Sequence, residues 1–134
     1  MNNLRTLRDA NLSKSKALPA AAASNQSSAI DFTETNPGRL EDVEILIELP
    51  ATPNLVDAKT ITLTVEDSAD GTTFATVADI PAIVVTGAGG AGGTAVARRF
   101  APPITLRRYI RLAQAVLTAG GDSTAVSGVV SLVF

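Results

Sequence analysis

Apolar and polar side chains alternate with a period of two along most of the chain after residue 28. The clearest case is residues 60–66, where Ile61, Leu63 and Val65 alternate with three threonines and a glutamate. Because successive side chains of a strand point to opposite faces, this pattern predicts a strand with one buried and one solvated face. Related patterns predict seven further strands, at residues 29–33, 43–49, 72–78, 83–86, 95–100, 106–116 and 126–134.

Turn residues separate these strands at intervals of about 8–12 residues. Examples are Asn-Pro-Gly at 36–38, Asp-Ser-Ala-Asp-Gly at 67–71 and Ala-Gly-Gly-Asp at 119–122. The body of the chain has no clear helical period. The pattern therefore predicts an all-β fold, an antiparallel jelly-roll-like sandwich of about eight strands. Residues 129–134 are apolar towards both faces, so we expect a central strand or part of a subunit contact there.

Residues 1–28 differ from the rest of the chain. They begin with a basic stretch and continue through four consecutive alanines into a Ser- and Asn-rich segment. This composition predicts an extended N-terminal arm, residues 1–28, in front of a β-sandwich domain, residues 29–134. The arm contains four leucines that a purely solvated tail would not need, so we expect it to become ordered on a partner; they are Leu4, Leu7, Leu12 and Leu18.

The composition excludes several kinds of chemistry. The chain has 134 residues, enough for one domain, and contains neither cysteine nor histidine. Disulfides, thiolate metal sites, and Ser-His-Asp or Cys-His catalysis are therefore impossible within it. We expect a protein that is not an enzyme, with no catalytic residue, no cofactor and no metal. Neither a secretion signal nor an apolar run of about 18 residues is visible, so no membrane association is expected.

A glycine-rich segment is the strongest competing signal for an enzyme. Residues 87–92 satisfy the G-x-G-x-x-G pattern after an apolar strand, as at a dinucleotide site, and the opening resembles that of short-chain dehydrogenases. A Rossmann unit also needs an acid about 20 residues further on, where this chain has none before Asp122. The helix that should follow would stop at Pro102-Pro103, and Tyr109 lacks the lysine four residues on that the dehydrogenases require. The segment is therefore predicted to be a flexible loop between two strands.

Acidic residues in the turns raise the possibility of a calcium site. An EF-hand loop starting at Asp67 would need a glutamate at its twelfth position, where the chain has Ala78. Asp70-Gly71 is better explained by turn chemistry. The adjacent carboxylates at 66–67 point to opposite faces of a strand, so they do not form an acid–base pair.

Charge is distributed unevenly, although the net charge is only −2. Residues 31–79 hold eleven acids against two basic residues, whereas residues 98–111 hold five arginines and no acid. Two explanations remain open: docking or head-to-tail association through charged surfaces, and pairing between neighbouring strands of one molecule. A negative net charge and few aromatic residues argue against nucleic-acid binding.

Two groups of residues are candidates for contacts with a partner. In the strand predicted at 106–116, alternation places Arg107, Tyr109 and Arg111 on one face, and such residues are common in interface hot spots. The alternative is that this face is only exposed and solubilising. The second group lies on the arm and consists of Arg5, Arg8, Lys14 and Lys16.

The order of several short segments resembles a known group of proteins. These segments are Ala-Ile-Asp-Phe at 29–32, Ile-Thr-Leu-Thr-Val-Glu at 61–66, Ser-Ala-Asp-Gly-Thr-Thr-Phe at 68–74, Arg-Tyr-Ile-Arg-Leu at 108–112 and Gly-Val-Val-Ser-Leu-Val-Phe at 128–134. Together they resemble the small jelly-roll cement, or decoration, proteins of tailed-bacteriophage capsids. The resemblance implies a protein made in the host cytoplasm that binds the outer surface of the capsid and stabilises contacts between capsomers. It also implies the major capsid protein and a homodimer or homotrimer as partners.

A second family shares part of this pattern. Discoidin-like carbohydrate-binding sandwiches carry a Ser-x-Asp-Gly-Thr turn before an aromatic residue and a later Arg-Tyr-Ile-Arg-Leu strand. They usually contain tryptophan and often a disulfide, and this chain has neither. A carbohydrate-binding module is therefore the alternative function.

Overall fold

The computed structural model describes residues 12–31 and 43–133. These residues form ten strands and no helix, so no described helix is long and apolar enough to cross a membrane. The strands are β1 (Ser13–Ala17), β2 (Ser24–Gln26), β3 (Ile30–Asp31), β4 (Glu44–Leu49), β5 (Thr60–Ser68), β6 (Ala75–Thr76), β7 (Ile83–Thr86), β8 (Val96–Phe100), β9 (Tyr109–Val116) and β10 (Ser127–Val133). The predicted all-β class is confirmed. The turn predicted at 36–38 lies outside the described residues.

The strands form two sheets whose named pairings are all antiparallel. The first sheet has the order β1-β10-β4-β8. The second has the order β2-β9-β5-β6, with β3 also on β9 and β7 also on β5. When β2 with β3, and β6 with β7, are each counted as one interrupted strand, eight strands remain. The first then pairs with the eighth, the second with the seventh, the third with the sixth and the fourth with the fifth, which is a long hairpin wrapped into a jelly roll.

The alternation of side chains places the core between the two sheets. Along β5, Ile61, Leu63 and Val65 are buried, whereas the threonines between them are only half-buried. The neighbouring β9 repeats the pattern, with Ile110 and Leu112 fully buried. Strand β10 lies between β1 and β4, so the prediction that the last apolar segment forms a central strand is confirmed.

A buried glutamine connects the two sheets at one end of the core. Gln114 is on β9 of the second sheet and is only 1% exposed. Its Nε2 donates to the backbone carbonyl oxygens of Lys16 and Ala17 and to the side-chain oxygen of Asn25. Gly128 of β10 leaves the space that this side chain occupies, because a Cβ there would overlap Gln114 Oε1. The residue therefore ties β9 to the end of β1.

The expectation of a separate arm is wrong for its described part, residues 12–28. Residues 13–17 pair with β10 along their whole length, and residues 24–26 pair with β9. Leu18, between these strands, is 2% exposed and belongs to the core. The alanine-rich composition hid this, because a short edge strand needs only a few apolar side chains. Residues 1–11 of the predicted arm lie outside the described residues.

The glycine-rich segment connects β7 to β8, as predicted, but its contacts do not fit a freely moving loop. Gly93 exchanges backbone hydrogen bonds with Thr52, and Gly87 accepts from Ala58 and donates to Lys59. A Cβ at Gly87 would lie within 3 Å of backbone atoms of Leu55 and Val56. The glycines are needed because the segment packs directly on residues 52–58. Only the tip, at Gly89 and Gly90, has open space around it.

Candidate functional site

The start of β9 collects three arginines, and each has an acidic partner. Arg107 binds Asp67 through several contacts: its backbone NH donates to Oδ2, while Nε and Nη2 both donate to Oδ1, at 2.9 and 2.6 Å. Its Nη2 also donates to the backbone oxygen of Asp67. The Asp67 side chain is 8% exposed, so this guanidinium neutralises a nearly buried carboxylate. The side-chain hydrogen bonds to Asp67 raise the pKa of Arg107 above its ordinary value.

Arg111 lies on β9 and is also held by an acidic residue of the neighbouring strand β5. It lies directly opposite Glu66, and its Nε donates to Glu66 Oε1 at 2.7 Å. Its guanidinium also lies 3.9 Å from the centre of the Phe74 ring, a cation–π contact. Arg111 is therefore held in place by an ion pair and a ring contact.

Tyr109 lies between these two arginines and packs on a turn. Its ring covers Gly71, where a Cβ would be in contact at 3.4 Å. The guanidinium of Arg108 lies 5.0 Å from the ring centre and pairs with Asp31 through Nη2 and Oδ2 at 2.8 Å. The predicted alternation is confirmed, since Tyr109 and Arg111 are half-buried while Ile110 between them is fully buried. The contacts favour pairing within one molecule for Arg107 and Arg111.

The turn beneath Tyr109 is organised by an aspartate. Asp70 Oδ1 accepts from the backbone amides of Thr73 and Thr72 and from the hydroxyl of Ser68. The Ser68 hydroxyl in turn accepts from the amides of Asp70 and Gly71. The hydrogen bonds from Thr73, Thr72 and Ser68 lower the pKa of Asp70 from 3.8 to about 2. The network also explains why the strand predicted at 72–78 is reduced to β6, because residues 70–73 belong to the turn.

Two motifs are shared by both family resemblances, the turn at 68–72 and the strand segment at 108–112. They form one structural unit. The turn at 68–72 lies against the start of β9, where Ser68 is paired with Tyr109. Both motifs stabilise the same corner of the sandwich. A shared pair of motifs consequently indicates a shared corner and does not by itself mark a carbohydrate site.

The other predicted contact residues lie elsewhere. Lys14 and Lys16 are on β1, an edge strand of the first sheet, opposite Val130 and Gly128. They are therefore in a different sheet from Arg111 of β9. Arg5 and Arg8 lie outside the described residues. Within residues 12–31 and 43–133, no group of three acidic, histidine or cysteine side chains could hold a metal ion.

A second basic site is not among the contact residues that the sequence predicts. Arg98 and Arg99 are exposed on β8, the other edge of the first sheet. Beside them runs an open groove of about 340 Å³, lined by Pro81, Ala82, Ile83, Val84, Val96, Arg98 and Phe100. The available signal was a pair of arginines between apolar residues just before Pro102-Pro103, which marks a charged strand edge.

The described geometry defines the class of protein: a small antiparallel jelly roll whose charged groups lie at strand edges and on sheet surfaces. The chain belongs to the Bbp16 family, which matches residues 12–131. The match covers most of the described sandwich.

Solved structures show the same architecture. The PBSX exported protein XepA superposes with a TM-score of 0.58 at 17% sequence identity, over 98% of this chain. At this identity the likeness shows the fold. The chain spans 38% of the length of that XepA chain. A comparison with curated proteins found no significant match.

Proposed function

We propose that this protein is a structural component of a phage virion that binds the outer surface of the capsid and stabilises the contacts between capsomers. The observation that carries the proposal is membership of the Bbp16 family across the jelly-roll domain. Family membership, together with the fold of the phage PBSX protein, is compatible with a phage-associated structural role. The segments that resemble capsid cement proteins support the finer assignment, and their described residues form strands and turns of this fold.

The proposed mechanism is binding without chemistry. The edge strands β1 and β8 are paired along their length with β10 and β4, so little conformational entropy is lost when a partner binds at these edges. Many copies on a repetitive shell add avidity, which lets a modest contact area bind strongly. In this proposal the protein is not an enzyme and uses no cofactor.

The proposal also names the partners and the location. The protein is made in the host cytoplasm and joins the exterior of the capsid, where it contacts the major capsid protein and other copies of itself as a homodimer or homotrimer. Nucleic acid and membranes are not partners. The candidate contacts are the exposed edges of the first sheet, with Lys14 and Lys16 on one side, and the basic residues Arg5 and Arg8.

The test is a binding assay on capsids that lack the protein. Expanded capsids from a phage with this gene deleted are mixed with increasing amounts of purified protein, and the bound fraction is measured after sedimentation. We expect saturable binding at a fixed number of copies per capsid and a higher temperature of capsid disruption. Capsids that already carry the wild-type protein serve as the control and should bind little more.

A truncation tests the role of the N-terminal segment. Removal of residues 1–11 leaves β1 intact, whereas removal of residues 1–16 would also delete most of that strand. If Arg5 and Arg8 contribute contacts, the shorter truncation should fold normally and bind capsids more weakly. Undiminished binding of this variant would overturn their role, and absence of binding by the full chain would overturn the proposed function.

A further inference from the structure

Strand β8 is an open edge of the first sheet. It pairs with β4 on one side, and no described strand covers the other side. Its central residues, Ala97, Arg98 and Arg99, are exposed. A strand edge of this kind presents free backbone NH and carbonyl groups, which an extended peptide can use to add another strand.

The two arginines of β8 differ from those at the start of β9 in having no acidic partner among the described residues. No ion pair joins Arg98 or Arg99 to any carboxylate of residues 12–31 or 43–133. Exposed guanidinium groups at adjacent positions of one strand attract a partner of opposite charge. The partner of this edge should therefore be acidic.

The register of β8 specifies where the acidic groups must lie. Arg98 is opposite the buried Ile47 and lines the groove, whereas Arg99 is opposite Leu46 and points to the other face. An added strand would need two consecutive acidic residues, one on each face, to reach both guanidinium groups.

The groove specifies the residues on either side of the acidic pair. Val96 and Phe100 line it together with Val84, which is 57% exposed. In an antiparallel added strand, the residues opposite Val96 and Phe100 point into this groove. They should be apolar, because apolar side chains there would cover exposed apolar surface.

We infer that β8 binds an extended segment of a partner protein with the pattern apolar–acidic–acidic–small–apolar, added as an antiparallel strand. The inference takes the identity of the partner, the capsid protein, from the proposed function. The recognition itself follows from the edge, the charges and the groove.

Another segment of this chain has two consecutive acids that are matched by arginines. Residues 65–69 read Val-Glu-Asp-Ser-Ala, and Glu66 and Asp67 are held by Arg111 and Arg107. Glu66 and Asp67 are already paired on both sides, with β9 and with β6, so they are not available to another molecule. They show that consecutive acids in a strand can be matched by arginines of a neighbouring segment in this fold.

A second copy of β8 is a poor occupant of this edge. An antiparallel pair of β8 strands centred on Arg98 would place the two Arg98 residues opposite each other. Directly opposed like charges destabilise a strand pair. The charges of the edge thus favour a different chain.

The test uses two capped peptides, Thr-Val-Glu-Glu-Ala-Val-Thr and Thr-Val-Lys-Lys-Ala-Val-Thr, added to the full-length protein. Binding is followed through backbone amide NMR shifts and through the hydrogen-exchange rates of residues 96–100. We expect the acidic peptide to shift these amides and slow their exchange at least tenfold, and the lysine peptide to do neither. Equal effects of the two peptides, or no effect of the acidic peptide at millimolar concentration, would overturn the inference.

Charge reversal supplies the second arm of the test. The variant Arg98→Glu with Arg99→Glu should lose the acidic peptide and bind the lysine peptide instead. The single variant Arg98→Glu should bind the acidic peptide more weakly, whereas Lys59→Glu, in the connection before β5, changes the net charge by the same amount and should keep it. A double variant that still prefers the acidic peptide would contradict the inference.

The peptide experiment and the capsid experiment test two separate claims, so a negative result in one does not decide the other. Saturable capsid binding without peptide binding at β8 would remove this inference and leave the proposed function standing. Peptide binding at β8 without capsid binding would do the reverse.

Discussion

Gly90 and Gly92 have nearly the same φ angle but different surroundings. Their φ angles are +71° and +75°, a region that side chains with a Cβ rarely adopt. Gly90 has no atom near the position of an added Cβ, whereas Gly92 faces the backbone of Thr52 and Pro53. The pair therefore separates the cost of the backbone conformation from the cost of close packing.

Gly92→Ala should destabilise the protein more than Gly90→Ala. Both variants carry the conformational cost of a positive φ, about 1–2 kcal/mol. Gly92→Ala adds steric overlap with backbone that cannot move away, typically about 1–3 kcal/mol more. Chemical denaturation of the two variants measures the difference. Equal loss of stability would show that residues 52–53 and 92 are not packed as the structure has them.

Asp70 makes the stability of the sandwich depend on acidity. Its folded-state pKa of about 2 lies below the ordinary value of 3.8, so folding favours the charged carboxylate. The stabilisation is complete above about pH 4 and should be lost as the pH falls towards 2.

Asp70→Asn should lower the melting temperature near neutral pH and reduce its fall between about pH 4 and pH 2. Melting curves across this range for the wild type and the variant give the measurement. Asp79→Asn, at an exposed position, controls for removal of one negative charge. If the wild type and Asp70→Asn lost stability in parallel over this range, the turn would not depend on the ionised carboxylate.

At the scale of elements, alternation along the chain predicted the long strands well. Strands β5 and β9 have the faces expected from their sequences, because the period of two is a property of the extended backbone itself. The short strands were harder to predict. Strand β1 alternates weakly and β2 has only three residues, so both were assigned to an arm.

Leu18→Ala measures whether the segment between β1 and β2 belongs to the core. The side chain is 2% exposed, so its truncation should cost about 2–5 kcal/mol. Leu117→Ala, at a position 47% exposed, is the matched control and should cost about 0.5 kcal/mol or less. Similar small losses for both variants, measured by denaturant unfolding, would restore the view of residues 12–28 as an arm.

The same scale accounts for the mixed outcome at the candidate site. The sequence placed Tyr109 and Arg111 on one face, and they lie there. It left open whether the arginines pair within the molecule, because Asp67 and Glu66 are about 40 residues away along the chain. Only the register of β5 against β9 brings these groups together.

At the scale of the whole molecule, the chain behaves as one long hairpin wrapped into two sheets. Each half of the sequence contributes strands to both sheets, so no strand edge or surface can be assigned from one segment alone. The wrapping places β1 and β8 at opposite edges of the first sheet. Strand β1 carries Lys14 and Lys16, and β8 carries the adjacent Arg98 and Arg99. Those edges are the surfaces through which the proposed capsid contacts are made.

The sequence by itself determined the all-β class, the faces of the long strands and the exclusion of histidine and cysteine chemistry. These follow from local rules, since side-chain alternation, turn residues and composition act over a few positions. Tertiary structure alone decided that residues 12–28 join the sandwich, that the glycines pack on residues 52–58, and that the arginines of β8 have no acidic partner within residues 12–31 and 43–133. Each of these depends on which distant strands are neighbours, and that choice is made by long-range packing and register.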